Sequence, residues 1–172
     1  MNRAVFLDRD GVINHDPGDY TKSLEEFIIL PDVLEAFQLI KENNYRIILV
    51  TNQGGVAKGL YPLENVYEIH NYLRVEALKV GVEIDEIYFA PYHDDYGKSL
   101  SRKPGSLMVE RGLAKFQLNP AECVLVGDKA RDVESGEKVG VPGIQIDVNG
   151  SLLEAMKKYF NKWITSITTE SS

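Results

Sequence analysis

The sequence predicts an α/β fold, three layers deep, with helices on both faces of a central parallel sheet. Three observations carry this expectation. Short apolar runs recur along the chain, each too short for a helix and each bounded by charge or glycine. Stretches with apolar residues at spacings of three and four alternate with them. Polar, chemistry-bearing residues follow the runs, and right-handed crossovers would bring all those ends to one edge of the sheet.

Arg3 to Leu7 is the first expected strand, and it stops at Asp8-Arg9-Asp10-Gly11-Val12. Residues 11–26 are rich in Asp, Gly, Pro and Tyr without a clear period, which predicts a long loop of the lid-forming kind. Pro31 suits a helix start, Leu34, Phe37 and Ile40 form an apolar stripe, and Asn43-Asn44 end it. Arg46 to Val50 is the second strand and leads into Thr51-Asn52-Gln53-Gly54-Gly55. The longest expected helix spans 62–80, between Gly59 and Gly81, with Leu63, Val66, His70, Leu73, Ala77 and Val80 on one stripe. His70 on that stripe reads as a buried or edge histidine. Glu86 to Ala90 is the third strand. A second long loop, 91–105, carries Arg102-Lys103-Pro104 and precedes a helix over 106–116. Glu122 to Val126 is the fourth strand, ending in Gly127-Asp128-Lys129, and a short helix follows over 130–139. Gly143 to Ile146 is the fifth strand, and an amphipathic helix over 152–160 closes the fold. One domain is expected over 1–164, with the Ser/Thr-rich 165–172 as a frayed tail.

The 172 residues suffice for a sizeable core. A net charge of −7 argues against nonspecific nucleic-acid binding. The single cysteine, Cys123, lies in an apolar run and excludes a disulfide framework or a Cys-rich metal site. No stretch approaches a membrane span and no apolar leader opens the chain. The expectation is a cytoplasmic monomer acting on a small molecule, with neither nucleic acid nor membrane as partner.

The strand ends bring together three carboxylates (Asp8, Asp10, Asp128), a hydroxyl (Thr51), an amide (Asn52) and the cations Arg102 and Lys103. Carboxylates suit a hard cation such as Mg2+. The metal, Lys103 and Thr51 together suit a phosphate, and phosphoryl transfer depends mainly on positioning and charge compensation. Asp8 and Asp10 are close enough for one to attack while the other moves protons.

Asp8-Arg9-Asp10-Gly11-Val12, then Thr51, then Lys103, then Gly127-Asp128-Lys129 with Asp132, resemble in order and spacing the four motifs of the haloacid dehalogenase superfamily of phosphatases. The resemblance spans about residues 3 to 147 and implies a Rossmann-like fold. Phe6–Gly11, Val50–Gln53, Arg102–Pro104 and Val126–Lys129 are similar to the capless subgroup of heptose-bisphosphate and histidinol-phosphate phosphatases, so no large cap domain is implied. By that resemblance Asp8 is the nucleophile and forms an aspartyl phosphate. Asp10 is the acid and base. Asp8, the Asp10 carbonyl and Asp128 hold Mg2+. Thr51 and Lys103 hold the phosphoryl oxygens. Asn52, Gln53, Arg102 and the Asp16 to Asp19 loop touch the sugar, and Lys129 fixes the substrate or the first carboxylates.

Simpler readings stand beside several of these. Thr51 and Asn52 can cap a turn, Arg102 can be a solvated loop charge, and Asp132 suits a helix N-terminus. The subgroup's structural zinc uses Cys-x-His and Cys-x-Cys before Arg-Lys-Pro. Here those positions read Ala90-Pro91-Tyr92 and Ser99-Leu100-Ser101, so no zinc is expected and the loop is expected to be held by packing. A heptose 1,7-bisphosphate is the favoured substrate class and histidinol phosphate the alternative. A catalytically silent binding module on the same fold is the third reading, disfavoured because Asp8, Asp10, Lys103 and Asp128 are all present. Asn14, Asp16 and Asp19 could meet sugar hydroxyls, and Lys58 or Arg102 a second phosphate.

Overall fold

The structure, a computed structural model, describes residues 2–169 and the side chains of residues 2–162. Five parallel strands form one sheet: β1 Ala4–Leu7, β2 Arg46–Asn52, β3 Glu86–Ala90, β4 Val124–Gly127 and β5 Gly143–Gln145. Their order is β3-β2-β1-β4-β5, which puts β1 in the centre with β2 and β4 on either side. The strand order reverses at β1, and ligands of open parallel sheets bind at such a switch point. Leu7, the last residue of β1, lies opposite both Leu49 and Val126, and β2 runs on to Asn52 past the end of β1.

The helices are α1 Val33–Glu42, α2 Leu63–Lys79, α3 Leu107–Phe116, α4 Ala130–Glu137 and α5 Leu152–Thr169. The pleat divides each strand between two cores. Val5, Leu7, Ile47, Leu49, Val124 and Val126 face α1, α2 and α5. Ala4, Phe6, Ile48, Val50 and Leu125 pack instead with Met108 and Val109 of α3 and with Val141 just after α4. The continuous apolar runs reflect this burial on both faces.

Most boundaries lie within two residues of the expected ones. The stripe of α1 is shifted: Val33, Ala36, Phe37 and Ile40 are buried, while Leu34 is only partly so. The closing helix is longer than its apolar period indicates and continues through Thr169. Of the segment expected to fray, 165–169 therefore extends α5, and 170–172 lies outside the described residues. The first long loop is anchored at its start, with Val12 and Ile13 fully buried and Asn14 bridged to Asp10 and Ile29. A 3-10 turn at Leu24–Glu26 ends it.

The 91–105 loop departs from expectation. Polar contacts hold it, not packing. Tyr92, Tyr96 and Leu100 are exposed. The Ser99 and Ser101 hydroxyls meet at 2.8 Å, the Arg102 guanidinium donates to the Tyr92 carbonyl at 3.1 Å, and Lys58 faces Asp95 at 3.8 Å. With few apolar side chains turned inward, short hydrogen-bonded turns remain its means of order.

Candidate active site

Asp8 follows β1 directly, and its amide donates to the Val126 carbonyl of β4. Lys103 reaches it from the 91–105 loop and lies beneath it, almost fully buried. The Lys103 ammonium donates to Asp8 Oδ1 and to the Val50 carbonyl, both at 2.7 Å, and stands 2.7 Å from Asp132 Oδ1. A buried ammonium needs such neighbours, since an unpaired charge there is costly. Burial alone would lower the Lys103 pKa, but Asp8 and Asp132 outweigh it and hold it above the usual lysine value. Asp132 is the first-turn acid of α4. Its second oxygen accepts from the Lys129 amide at 3.0 Å, so it caps the helix and aligns Lys103 at once. Both readings of Asp132 thus apply.

Asp10 is held by different groups. Arg9, fully buried behind it, donates to Asp10 Oδ1 at 3.0 Å and to Gln53 Oε1 at 3.1 Å. Asn14 donates to the same Asp10 oxygen at 3.0 Å, and Gln53 Nε2 donates to Asp10 Oδ2 at 2.9 Å. Gln53 Nε2 also donates to Thr51 Oγ1 at 2.9 Å, and the Tyr61 hydroxyl donates to Gln53 Oε1 at 2.9 Å. Because Thr51 accepts from Gln53, its own proton is free to point elsewhere.

The electrostatics of the two aspartates diverge. Burial, together with Asp132 and Asp10, pushes Asp8 up to about 7 against the opposing pull of Lys103. Burial acts the same way on Asp10, but the Arg9 charge and the hydrogen bonds from Asn14, Arg9 and Gln53 overcome it, and the carboxyl lies below its usual range.

Asp128, at the end of β4, completes the acidic side. Asp8, Asp128 and Asp132 each offer an oxygen within 4.8 Å of the other two. Asp132 is engaged by Lys103 and the Lys129 amide, which leaves Asp8 and Asp128 as the open pair. Asp128 Oδ1 has no hydrogen-bond partner among the described residues, and Oδ2 has only the Lys129 ammonium, 3.3 Å away. Burial raises the Asp128 pKa. Buried carboxylate oxygens without donors are what a hard divalent cation satisfies, so the residues fit Mg2+. Gly11 matters here: its φ is +84°, and a Cβ would stand 2.7 Å from Asp128 Oδ2. Gly127 allows α4 to approach, since a Cβ there would lie 2.2 Å from Asp132 Cβ.

A cavity of about 80 Å3 opens above Asp8 and Asp10, walled by Asp16, Asp19, Tyr20, Asn52, Gln53, Tyr61, Lys129 and Arg131 among others. A larger groove, about 630 Å3, lies between β5 and α5, away from these groups. Several residues expected at the sugar are turned to other tasks. Asn52 clamps the backbone of Lys103, accepting from its amide at 2.9 Å and donating to its carbonyl at 3.0 Å. Gln53 and Asn14 are buried and support Asp10. Arg102 lines a different cavity, beside Ser99 and Pro104, with Asp94 as its acidic partner. Asp16 pairs with Lys129 at 3.2 Å and Asp19 with Lys22 at 2.9 Å. Lys58 is paired with Asp95.

Four supporting residues escaped the sequence reading. Arg9 carries the only available signal, a charge locked between two motif aspartates. Tyr61 and Arg131 carry none. Asn149 hooks the first loop from beyond β5, accepting from the Asp16 amide at 2.7 Å and donating to its carbonyl at 3.0 Å.

Comparison with known proteins settles the family. The profile of the haloacid dehalogenase-like hydrolases matches residues 3–140. The chain belongs to that family. Among curated relatives, a D-glycero-D-manno-heptose-1,7-bisphosphate 7-phosphatase of Chlorobaculum tepidum is 34% identical over 155 residues, covering 84% of this chain and 78% of that protein. A D-glycero-alpha-D-manno-heptose-1,7-bisphosphate 7-phosphatase of Burkholderia mallei is 36% identical over 146 residues, covering 81% and 77%. The crystal structure of a D,D-heptose 1,7-bisphosphate phosphatase from B. bronchiseptica, complexed with magnesium and phosphate, superposes with a TM-score of 0.86 at 25% identity, covering 94% of this chain and 99% of that one. This haloacid dehalogenase-like hydrolase is a phosphatase, and its described residues form no large cap.

Proposed function

We propose that this phosphatase removes the C7 phosphate of D-glycero-D-manno-heptose 1,7-bisphosphate, in heptose and nucleotide-heptose biosynthesis, working as a cytoplasmic monomer. The relatives named for that reaction support the substrate over histidinol phosphate. The observation that carries the mechanism is the placement of Asp8 and Asp10 on one small cavity, each held by its own set of partners. Among the described residues no helix is long and apolar enough to cross a membrane.

In this reading an Asp8 oxygen attacks the C7 phosphorus and the bond from phosphorus to the sugar oxygen breaks. Asp10 gives its proton to that leaving oxygen. Asp10 then takes a proton from water, the water oxygen attacks the phosphorus of the aspartyl phosphate, and Asp8 is released with inorganic phosphate. Lys103 compensates charge on Asp8 and on the equatorial oxygens, and the Thr51 hydroxyl donates to one of them. Asp132, Asn52 and Gln53 keep these groups in place. Mg2+ held by Asp8, the Asp10 carbonyl and Asp128 would screen the phosphate from the attacking carboxylate. A cation beside Asp8 lowers its pKa and a phosphate dianion beside Asp10 raises that residue's. Both shifts move the pair toward nucleophile and acid.

The test is substrate choice. kcat/KM for the heptose bisphosphate should exceed that for histidinol phosphate by at least about 100-fold, with the 1-phosphate retained on the product. Equal or better turnover of histidinol phosphate moves the assignment to that substrate. Chelation should abolish activity and Mg2+ restore it. Elemental analysis should find no stoichiometric zinc, because Ser99, Ser101 and Tyr92 offer no thiolate or imidazole.

A further inference from the structure

We propose that Arg131 is the specificity-determining cation that receives the second, non-reacting phosphate of the substrate. The inference rests on the bisphosphate reading above and deepens it. The cavity over Asp8 and Asp10 has two cations in its wall, Lys129 and Arg131. Lys129 is already compensated, 3.2 Å from Asp16 and 3.3 Å from Asp128. Arg131 makes no hydrogen bond or ion pair with any described residue, and its Nε is buried without a partner. A guanidinium at the cavity wall without an acidic partner within 4 Å is left to pair with an anion that enters.

The other cations near the site each have an acidic partner: Lys22 has Asp19, Lys58 has Asp95 and Arg102 has Asp94. Neither Lys58 nor Arg102 lines this cavity. Arg131 stands one residue before Asp132, so the turn that aligns Lys103 also sets the guanidinium. A planar fork suits two oxygens of one phosphate. The cavity itself has room on the scale of a single phosphoryl group, so the remainder of a longer substrate must reach its wall, where Arg131 is the cation without an acidic partner.

The experiment compares three substrates: the heptose 1,7-bisphosphate, the heptose 7-phosphate lacking the second phosphate, and phenyl phosphate. Arg131→Gln should lower kcat/KM for the bisphosphate by about 30-fold, chiefly through KM, as expected for a lost charge-assisted contact. The two monophosphates should change by less than about threefold, and Arg131→Lys should recover part of the loss. Equal losses on all three substrates would mean that Arg131 only supports Asp132 and would overturn the proposal. So would unchanged bisphosphate kinetics in Arg131→Gln when the wild type prefers the bisphosphate. A wild type that hydrolyses bisphosphate and 7-phosphate equally overturns the bisphosphate reading and this assignment together.

Discussion

The proposed reaction centre and its rim are built on opposite terms. In the centre, Asp8, Thr51, Lys103 and Asp132 are buried, and each is held by another member or by a residue directly behind it. At the rim, Asp19 and Lys22 pair in solvent with exposures of 61% and 39%, and Asp16 shares an ammonium with Asp128. Buried pairs are costly to break, whereas exposed pairs exchange with water for little. The difference teaches that buried pairs fix the geometry at the sheet edge, while the exposed rim side chains remain able to change partners.

The largest expected effect tests the centre. Asp8→Asn should lower kcat by at least about 10^4-fold in steady-state assays, with an unchanged circular dichroism spectrum, because an amide cannot attack phosphorus. Substantial turnover would remove the covalent mechanism. Lys103→Met should cost about 3–5 kcal/mol in urea unfolding at neutral pH, since Asp8 and Asp132 would lose their shared cation. A loss of under about 1 kcal/mol would show that the centre is no more tightly built than the rim. Gln53→Leu disconnects Asp10 from Thr51 and should lower kcat by about 10- to 100-fold with little change in KM.

Beneath the centre, His70 accepts from Arg9 at 3.4 Å through Nε2. Burial, then the Arg9 charge, pushes its pKa down to about 3. The unfolded chain protonates near pH 6.5 and the folded one does not, so the stability that neutral His70 contributes is full above about 6.5 and is lost as pH falls toward 3. His70→Phe should flatten that acid limb in pH-dependent unfolding. An NMR titration in which His70 protonates above pH 5 would contradict it. The smallest effect belongs to the rim: Asp19→Ala should change kcat/KM by less than about threefold. A tenfold loss there would mean that the rim is fixed as firmly as the centre.

The strands and their terminal residues were legible because sheet burial leaves a plain pattern, an apolar run that stops at a polar residue. Asp8, Asp10, Thr51 and Asp128 could be placed for that reason, and Lys103, inside the 91–105 loop, only through the motif that it matches. The amides were not. Asn14, Asn52 and Gln53 looked available to a ligand, but the buried Asn14 and Gln53 are partnered by Asp10 and the half-buried Asn52 by the Lys103 backbone. The 91–105 loop was misread because hydroxyl turns leave no periodicity. Arg9 was passed over since a charge reads as solvated until tertiary contacts say otherwise, and those contacts come from Gln53 and His70, far along the chain. Arg131 and Tyr61 depend wholly on how loops meet in space.

Lys103 joins three separate stretches, Asp8, Val50 and Asp132, and it meets Asp8 across 95 positions of chain. Lys129 meets Asp16 across 113. At ribosomal rates of roughly 5–20 residues per second, Asp8 emerges on the order of ten seconds before Asp132. Until residues 103 and 128 have docked, the Asp8 carboxylate has neither the ammonium beneath it nor the acid beside it. A chain truncated before Asp128 is therefore expected to lack phosphatase activity, because the pairs that surround Asp8 close only when the last third of the chain docks.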